Sequence, residues 1–116
     1  MSTTSEIRLN VTMDDDGITN IVWEADDSPE PGAHQADAMV LSLWDPAARN
    51  AMRIDLWTKG MTVDDMNDFF FQTLLSMADT YLAATKNNVI TGEIKLFAQR
   101  FAERASEAAA AQARGG

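Results

Sequence analysis

The sequence predicts an α+β fold in which a four-stranded antiparallel sheet, made of two consecutive hairpins, is followed by two α-helices. Two periodicities favour this fold class. Apolar and polar residues alternate in several segments within residues 6–58, which is the pattern of half-buried strands. Residues 62–85 and 91–112 instead repeat apolar residues at helical spacing. Because the strands come first and the helices last, a parallel α/β architecture is not expected.

The first hairpin is predicted around an Asp-Asp-Asp-Gly turn at residues 14–17. Asp favours turns through local hydrogen bonds, and Gly accepts positive φ without a Cβ clash. One antiparallel register places three apolar pairs on the same face. These pairs are Val11 with Ile21, Leu9 with Trp23 and Ile7 with Ala25. Residues 26–35, which contain Pro29, Pro31 and Gly32, are predicted to form a loop.

The second hairpin is predicted from an apolar run at residues 38–44, a break at Asp45-Pro46 and an alternating segment at residues 51–58. Pairing Leu43 with Met52 also pairs Leu41 with Ile54 and Met39 with Leu56. The same register places Trp44, Arg53, Asp55 and Trp57 on the other face of the hairpin.

The first helix is predicted over residues 62–85. Thr62 is a favourable N-cap, and Asp65 three residues later approximates a capping box. The predicted inner face consists of Met66, Phe70, Leu74, Met77 and Tyr81. An adjoining apolar face consists of Phe71, Leu75, Ala78 and Leu82. Together they exceed the roughly 100° stripe that one contact requires, so we expect this helix to contact two surfaces.

The second helix is predicted over residues 91–112, with Thr91-Gly92 at its start. Its apolar stripe is narrower and consists of Ile94, Phe97, Ala98, Phe101 and Ala105. The 116 residues are predicted to form a single domain, since this is about the commonest domain length. A flexible start at residues 1–5 and a flexible tail at residues 113–116 are expected.

Composition and charge exclude several classes of function. Nine Lys and Arg residues against eighteen Asp and Glu residues give a net charge of −9, which disfavours nucleic acid and anionic membrane surfaces as partners. The chain has no cysteine, so disulfides and zinc–cysteine sites are excluded. No apolar run approaches the roughly 18 residues of a membrane span, so direct membrane insertion is not expected. The first residues lack the pattern of a signal peptide, which predicts a cytoplasmic protein.

Candidate catalytic and metal-binding residues are few. If Gly17 took the sixth position of a calcium-binding loop, Thr12 and Trp23 would occupy the positions that need carboxylates, so an acidic turn is favoured. His34, the only histidine, lies in the Pro-rich loop without a second ligand and is predicted to be solvated. No motif for an activated nucleophile or a nucleotide is present. We therefore predict no enzymatic activity, no metal and no cofactor.

The second hairpin offers a candidate protein-binding surface. Residues 38–44 are apolar on both faces, which is unusual for a strand that is buried on one side only. Tryptophan and arginine contribute strongly to protein interfaces. The predicted partner-binding residues are Trp44, Arg53, Asp55 and Trp57 of the hairpin with Phe71 and Leu75 of the first helix. This surface predicts a protein partner and a homodimer or higher homo-oligomer, and the alternative is that the second helix or the Pro-rich loop covers it.

Several stretches resemble the gliding-motility protein GldC family. Residues 38–46 (Ala-Met-Val-Leu-Ser-Leu-Trp-Asp-Pro) and 52–59 (Met-Arg-Ile-Asp-Leu-Trp-Thr-Lys) are similar to the second hairpin of that family. Residues 66–80, with Phe-Phe-Phe-Gln-Thr-Leu and Met-Ala-Asp-Thr, resemble its central helix. The resemblance covers residues 38–86, and the first hairpin fits in length and order.

The resemblance implies a non-enzymatic accessory protein of bacterial gliding motility, or of a related envelope process, that acts by protein–protein interaction without a cofactor. It supplies no binding residues. The order of the elements is also similar to that of SecB-type export chaperones. A SecB-like holdase for unfolded or exported chains is therefore one alternative. A small-molecule-binding domain, which requires an enclosed pocket, is another.

Overall fold

The computed structural model describes residues 2–115, which form five strands and two helices. The elements are β1 (Ile7–Asp14), β2 (Gly17–Ala25), β3 (His34–Ala36), β4 (Ala38–Asp45), β5 (Asn50–Trp57), α1 (Val63–Thr85) and α2 (Asn88–Gly115). The strands belong to one compact unit that ends at Met61, and the helices belong to a second unit that begins at Thr62. The α+β class is therefore confirmed.

The first sheet has three antiparallel strands in the order β1-β2-β3. The predicted register of the first hairpin is confirmed, because Val11 lies opposite Ile21 and Leu9 lies opposite Trp23. Ile21 in the central strand also pairs with Ala36 of β3, and its side chain is fully buried. The register of β1 and β2 shifts by one residue between Thr12 and Met13.

The prediction of one four-stranded sheet is wrong, because β4 and β5 form a separate two-stranded sheet. His34 and Gln35, predicted to lie in the loop 26–35, instead pair with β2 together with Ala36. The chain leaves this pairing at Asp37, and β4 then pairs only with β5 among the described residues. The second hairpin contacts the first sheet at Thr58, which forms an isolated parallel bridge to Ile18 of β2.

We call β4 and β5 together the ribbon. Its register is the predicted one, with Leu43 opposite Met52, Leu41 opposite Ile54 and Met39 opposite Leu56. The turn is organised by Asp45, whose Oδ1 accepts hydrogen bonds from the backbone N–H groups of Ala47 and Ala48 at 3.0 and 3.3 Å. Arg49 closes the turn in the left-handed conformation, with φ of 54°, and donates its N–H to the Asp45 carbonyl at 2.8 Å.

Helix α1 begins with the predicted cap. The Thr62 hydroxyl accepts the N–H of Asp65 at 3.0 Å, and the Asp65 carboxylate accepts the N–H of Thr62 at 3.1 Å. This reciprocal arrangement is a capping box. The helix ends at Lys86, whose φ of 60° places it in the left-handed region typical of a helix C-terminus.

Helix α2 begins at Asn88, three residues before the predicted start. Asn87 caps it, because its Oδ1 accepts the N–H of Ile90 at 3.0 Å. Thr91, expected at the helix start, is buried within the first turn and donates its hydroxyl to the Asn87 carbonyl at 2.7 Å. Asn is among the strongest N-cap residues, so the earlier start has a clear local cause.

Each helix of the pair has one fully buried alanine. Ala78 of α1 and Ala98 of α2 are fully buried, and Phe70 stacks on Phe101 with 6.4 Å between ring centroids. The predicted inner face of α1 is wrong at Met77, which is 57% exposed, whereas Ala78 on the adjoining face is buried. The distance between packed helices depends on the side chains at the contact, and here the small residue Ala78, not the bulkier Met77, lies on the packed side of α1.

The predicted flexible ends are described only in part, because Met1 and Gly116 lie outside the described residues. Within the tail, residues 113–115 continue α2. In the described range 2–115, neither helix is long and apolar enough to cross a membrane. The prediction of a single domain remains a prediction.

Candidate protein interface

The ribbon places four predicted site residues on one face, which we call the aromatic face: Trp44, Arg53, Asp55 and Trp57. Strand alternation puts Arg53, Asp55 and Trp57 on this side of β5, and Trp44 lies opposite Ala51 on β4. Trp44 is 59% exposed and Trp57 is 56% exposed. Two large aromatic side chains therefore project from one short two-stranded sheet into solvent.

Arg53 and Asp55 form a bidentate ion pair at the centre of the aromatic face. Arg53 Nη2 donates to Asp55 Oδ1 at 3.0 Å, and Arg53 Nε donates to Asp55 Oδ2 at 3.1 Å. The hydrogen bonds to Asp55 raise the pKa of the Arg53 guanidinium above its usual value. Because both side chains are half exposed, the pair orients the two groups more than it stabilises the fold.

Trp44 is held at one end of this face by the ribbon turn. The guanidinium carbon of Arg49 lies 5.6 Å from the centroid of the Trp44 ring, which is within the range of a cation–π contact. Arg49 lies over the Trp44 ring because it ends the ribbon turn that begins at Asp45, and it does so in the left-handed conformation. The turn thus fixes one indole of the candidate interface.

Trp57 lies at the opposite end of the face, beside a shallow depression of about 350 Å³. The depression is open to solvent. On one side it is bounded by Asp16 of the β1–β2 turn and by Gly17 and Ile18 at the start of β2. On the other side it is bounded by Asp55, Leu56, Trp57 and Lys59 at the end of the second hairpin. Lys59 also donates to the carboxylate of Asp14. An indole next to an open apolar hollow with charged rims has the composition of a protein contact.

The second face of the ribbon, which we call the aliphatic face, is apolar except at its turn end, where Asp45 pairs with Asn50. It consists of Met39, Leu41 and Leu43 from β4 and Met52, Ile54 and Leu56 from β5. Leu43, Met52 and Ile54 are 57%, 64% and 50% exposed. The sequence predicted the pairing of these residues but did not include them among the site residues. The apolar character of residues 38–44 on both faces was the signal that pointed to them.

The two predicted site residues on α1, Phe71 and Leu75, belong to the helical unit and are half-buried. Phe71 lines an open groove of about 370 Å³ between α1 and α2, together with Ala102 and Ala105. The rim of the groove carries Asp64 and Asp68. Of the two predicted residues, only Phe71 lines the helix-pair groove. Each unit therefore presents its own part of the predicted site.

The residues considered for metal binding or catalysis have structural partners. His34 is half-buried on β3, stacks against Trp23 at 4.7 Å between ring centroids, and its Nε2 lies 2.8 Å from the Glu30 carbonyl oxygen. The prediction of a solvated loop histidine is thus wrong. Asp14 accepts the N–H groups of Asp16 and Gly17, as expected for an acidic turn. Within residues 2–115, no group of three or more His, Asp or Glu side chains is arranged to hold a metal ion.

The fold and the candidate interface define a class: a small α+β protein with an antiparallel strand unit, a helical hairpin and large exposed apolar side chains. A comparison with family models matches residues 18–107 to the family described as "Gliding motility-associated protein GldC-like". The chain belongs to this family. Searches of curated proteins and of solved structures return no match. The matched range includes the whole ribbon and α1.

Proposed function

We propose that this protein is a non-enzymatic accessory protein of gliding motility, or of a related envelope process, and that it acts by binding another protein through the ribbon. Family membership supports the process, and the ribbon supports the mode of action. A cytoplasmic location and self-association are part of the same proposal.

The observation that carries the proposal is the exposure of apolar side chains on both faces of the ribbon. Isolated two-stranded hairpins are marginally stable in water, because they have no second layer in which to bury an apolar face. Here Trp44 and Trp57 are exposed on one face and Met52 and Ile54 on the other. Contiguous exposed apolar area of this kind marks interaction surfaces in soluble proteins.

The test is affinity capture from the native organism with four versions of the chain. We expect one partner to be retained by wild type and by Val89→Ala, and to be lost or reduced roughly tenfold with Trp57→Ala and with Arg53→Glu. Val89 is a matched control because it is an exposed apolar residue, 74% exposed, in the helical unit. Far-UV circular dichroism verifies that each variant is folded. Equal capture by all four versions would remove the aromatic face from the proposal.

A second candidate function is that of a holdase for unfolded chains. One observation favours it: exposed large apolar side chains occur in both units, as with Ile7 and Met13 on β1 and Phe97 on α2, which are 74%, 69% and 58% exposed. A holdase suppresses the aggregation of a chemically denatured model substrate at stoichiometric ratios. Absence of suppression at a molar excess of this protein would exclude the holdase function.

The small-molecule alternative requires an enclosed pocket. The two depressions described above are open to solvent and add no support to it.

A further inference from the structure

We propose that the chain forms a two-fold symmetric dimer in which β5 pairs antiparallel with β5 of a second copy, with Ile54 on the symmetry axis. This inference deepens the proposed function, on which it rests, by naming a second copy as one partner of the ribbon. It would join two ribbons into a continuous four-stranded sheet in the order β4-β5-β5-β4.

The first argument is the unpaired edge of β5. In the described residues, β5 pairs with β4 on one side and with no strand on the other. Ile18 of β2 bridges Thr58 just past the end of β5, so the proposed pairing is confined to the residues around Ile54. Seven of its eight residues are exposed, and it contains no proline, lysine or irregular register. Natural proteins usually protect such an edge with one of these devices, because an exposed regular strand invites pairing with another chain.

The direction of the backbone groups follows from the ribbon register. Thr58 donates its N–H to the Asp37 carbonyl, so the pair formed by these two residues is hydrogen-bonded. Hydrogen-bonded and non-hydrogen-bonded pairs alternate along an antiparallel ladder. Ile54 therefore directs its N–H and C=O toward β4, whereas Arg53 and Asp55 direct theirs to the unpaired edge.

The second argument is charge complementarity under two-fold symmetry. With Ile54 on the axis, Arg53 lies opposite Asp55 of the second copy, and Asp55 lies opposite Arg53 of the second copy. Both residues direct backbone groups outward, so the register that matches the charges also matches the hydrogen bonds. On the aliphatic face, Met52 then lies opposite Leu56 of the second copy, and the two apolar faces become one.

The local charge of the ribbon permits this association. The chain carries a net charge of −9, which would oppose contact between two copies over most of its surface. Residues 45–57 contain only Asp45, Arg49, Arg53 and Asp55 as charged groups, and these sum to zero. A neutral, self-complementary strand in an acidic protein is the segment that two copies can share with the least repulsion.

Two other strand edges fit the same role less well. On β4 only three of eight residues are exposed, and residues 38–44 include no charged side chain to set a register. On β1 the pairing with β2 contains a register shift. Irregular edges are those that proteins use to prevent pairing.

Disulfide trapping tests the register, because the chain has no native cysteine. In the proposed dimer the two Ile54 residues form a non-hydrogen-bonded pair with Cα atoms about 4.5 Å apart, a separation that a disulfide spans. Ile54→Cys should therefore give a covalent dimer on mild oxidation. Met52→Cys is the matched control on the same face, since its two copies lie four residues apart along the sheet, about 14 Å, and should remain unlinked.

A charge-swap mixture tests the pairing without a covalent link. Arg53→Asp alone and Asp55→Arg alone each place two like charges on every β5, so each should weaken its own dimer roughly tenfold in Kd by sedimentation equilibrium. An equimolar mixture should restore wild-type affinity, because Asp then faces Arg at both positions between copies. Neither variant regains the ion pair within its own chain, so restoration reports contact between chains only.

The outcomes separate this inference from the proposed function. Any one of four results would overturn the β5 dimer. Two concern the oligomer and its charges: a monomeric wild type, or a charge-swap mixture whose dimer affinity stays low. The other two concern the disulfides: equal linkage of Ile54→Cys and Met52→Cys, or linkage through Val11→Cys on β1 instead. In all of these cases the ribbon could still capture its heterologous partner, so the proposed binding to another protein would stand. A monomeric wild type would remove only the self-association from the proposed function. A β5 dimer that binds no partner in the capture experiment would support this inference and contradict the proposed function.

Discussion

Thr58 donates its backbone N–H to the carbonyl oxygen of Asp37 at 2.8 Å, so the residue that follows β5 is bonded to the residue that separates β3 from β4. The next residue, Lys59, donates its N–H to the carbonyl of Ile18 in β2 at 2.9 Å. The first bond adds one more pair to the ribbon ladder, and the second connects the end of the ribbon to the first sheet. Thr58 is 7% exposed, which shields its bond from water.

We expect Thr58→Pro to destabilise the strand unit by about 1–3 kcal/mol, because it removes the N–H and leaves the Asp37 carbonyl without its partner. Thr58→Val is the matched control, since it keeps the N–H, the volume and the branched Cβ, and we expect it to change stability by well under half of that amount. Urea unfolding monitored by tryptophan fluorescence measures both. Equal stabilities of the two variants would show that this bond is not needed.

Asp45→Ala should loosen the ribbon turn. The variant loses the side-chain acceptor for the N–H groups of Ala47 and Ala48, which we expect to lower the free energy of unfolding by about 1 kcal/mol. Asp45→Asn keeps an oxygen in the same place and should retain most of the stability. Amide hydrogen exchange at Ala47 and Ala48 gives the local readout, and unchanged exchange in Asp45→Ala would contradict the assignment.

Thr62→Ala should weaken the start of α1. The N-cap hydroxyl accepts the N–H of Asp65, and loss of such a cap costs about 1 kcal/mol. Thr62→Ser preserves the hydroxyl and should remain close to wild type. Thermal unfolding followed by far-UV circular dichroism compares the three proteins. A Thr62→Ala variant as stable as Thr62→Ser would indicate that the capping box contributes nothing.

The local parts of the fold could be predicted because short-range patterns determine them. Both hairpin registers follow from period-two alternation combined with one best set of apolar pairs, as with Val11 opposite Ile21 and Leu43 opposite Met52. The cap at Thr62 follows from two residues three positions apart. Each of these features is set by contacts between residues that are close together in the sequence, so the sequence pattern is enough to predict it.

The separation into two sheets could not be predicted in the same way. His34–Ala36 has no alternation of its own and becomes β3 because β2 offers it an edge, which is a long-range contact. The face that α1 presents to α2 was also ambiguous, since Met77 and Ala78 are neighbours on a broad apolar arc and only the close packing of Ala78 distinguishes them. For the candidate site, the pattern identified Trp44 and Trp57 on the aromatic face and overlooked the aliphatic one.

The acid sensitivity of the strand unit should depend on two carboxylates whose pKa values are lowered. A hydrogen bond from Lys59, followed by one from the N–H of Asp16, lowers the pKa of Asp14. For Asp26, the N–H of Glu6 has the largest effect and Arg8 adds to it. A lowered folded-state pKa stabilises the fold above the unfolded value of about 3.9, and that stabilisation is lost as the pH falls through the folded pKa.

We therefore expect the stability contributed by Asp14 and Asp26 to be constant above about pH 5 and to fall from about pH 4 downward. Asp14→Asn should flatten this acid decline, because the variant has no carboxylate to protonate, and it should be less stable than wild type at neutral pH. Lys59→Gln removes the main donor and should flatten the decline by a similar amount, and the double variant should add little to either single one. Urea unfolding at a series of pH values measures the slopes. If Asp14→Asn keeps the full acid decline of wild type, or if the double variant shows the sum of two independent effects, the Lys59–Asp14 contact is not the source of the pH dependence.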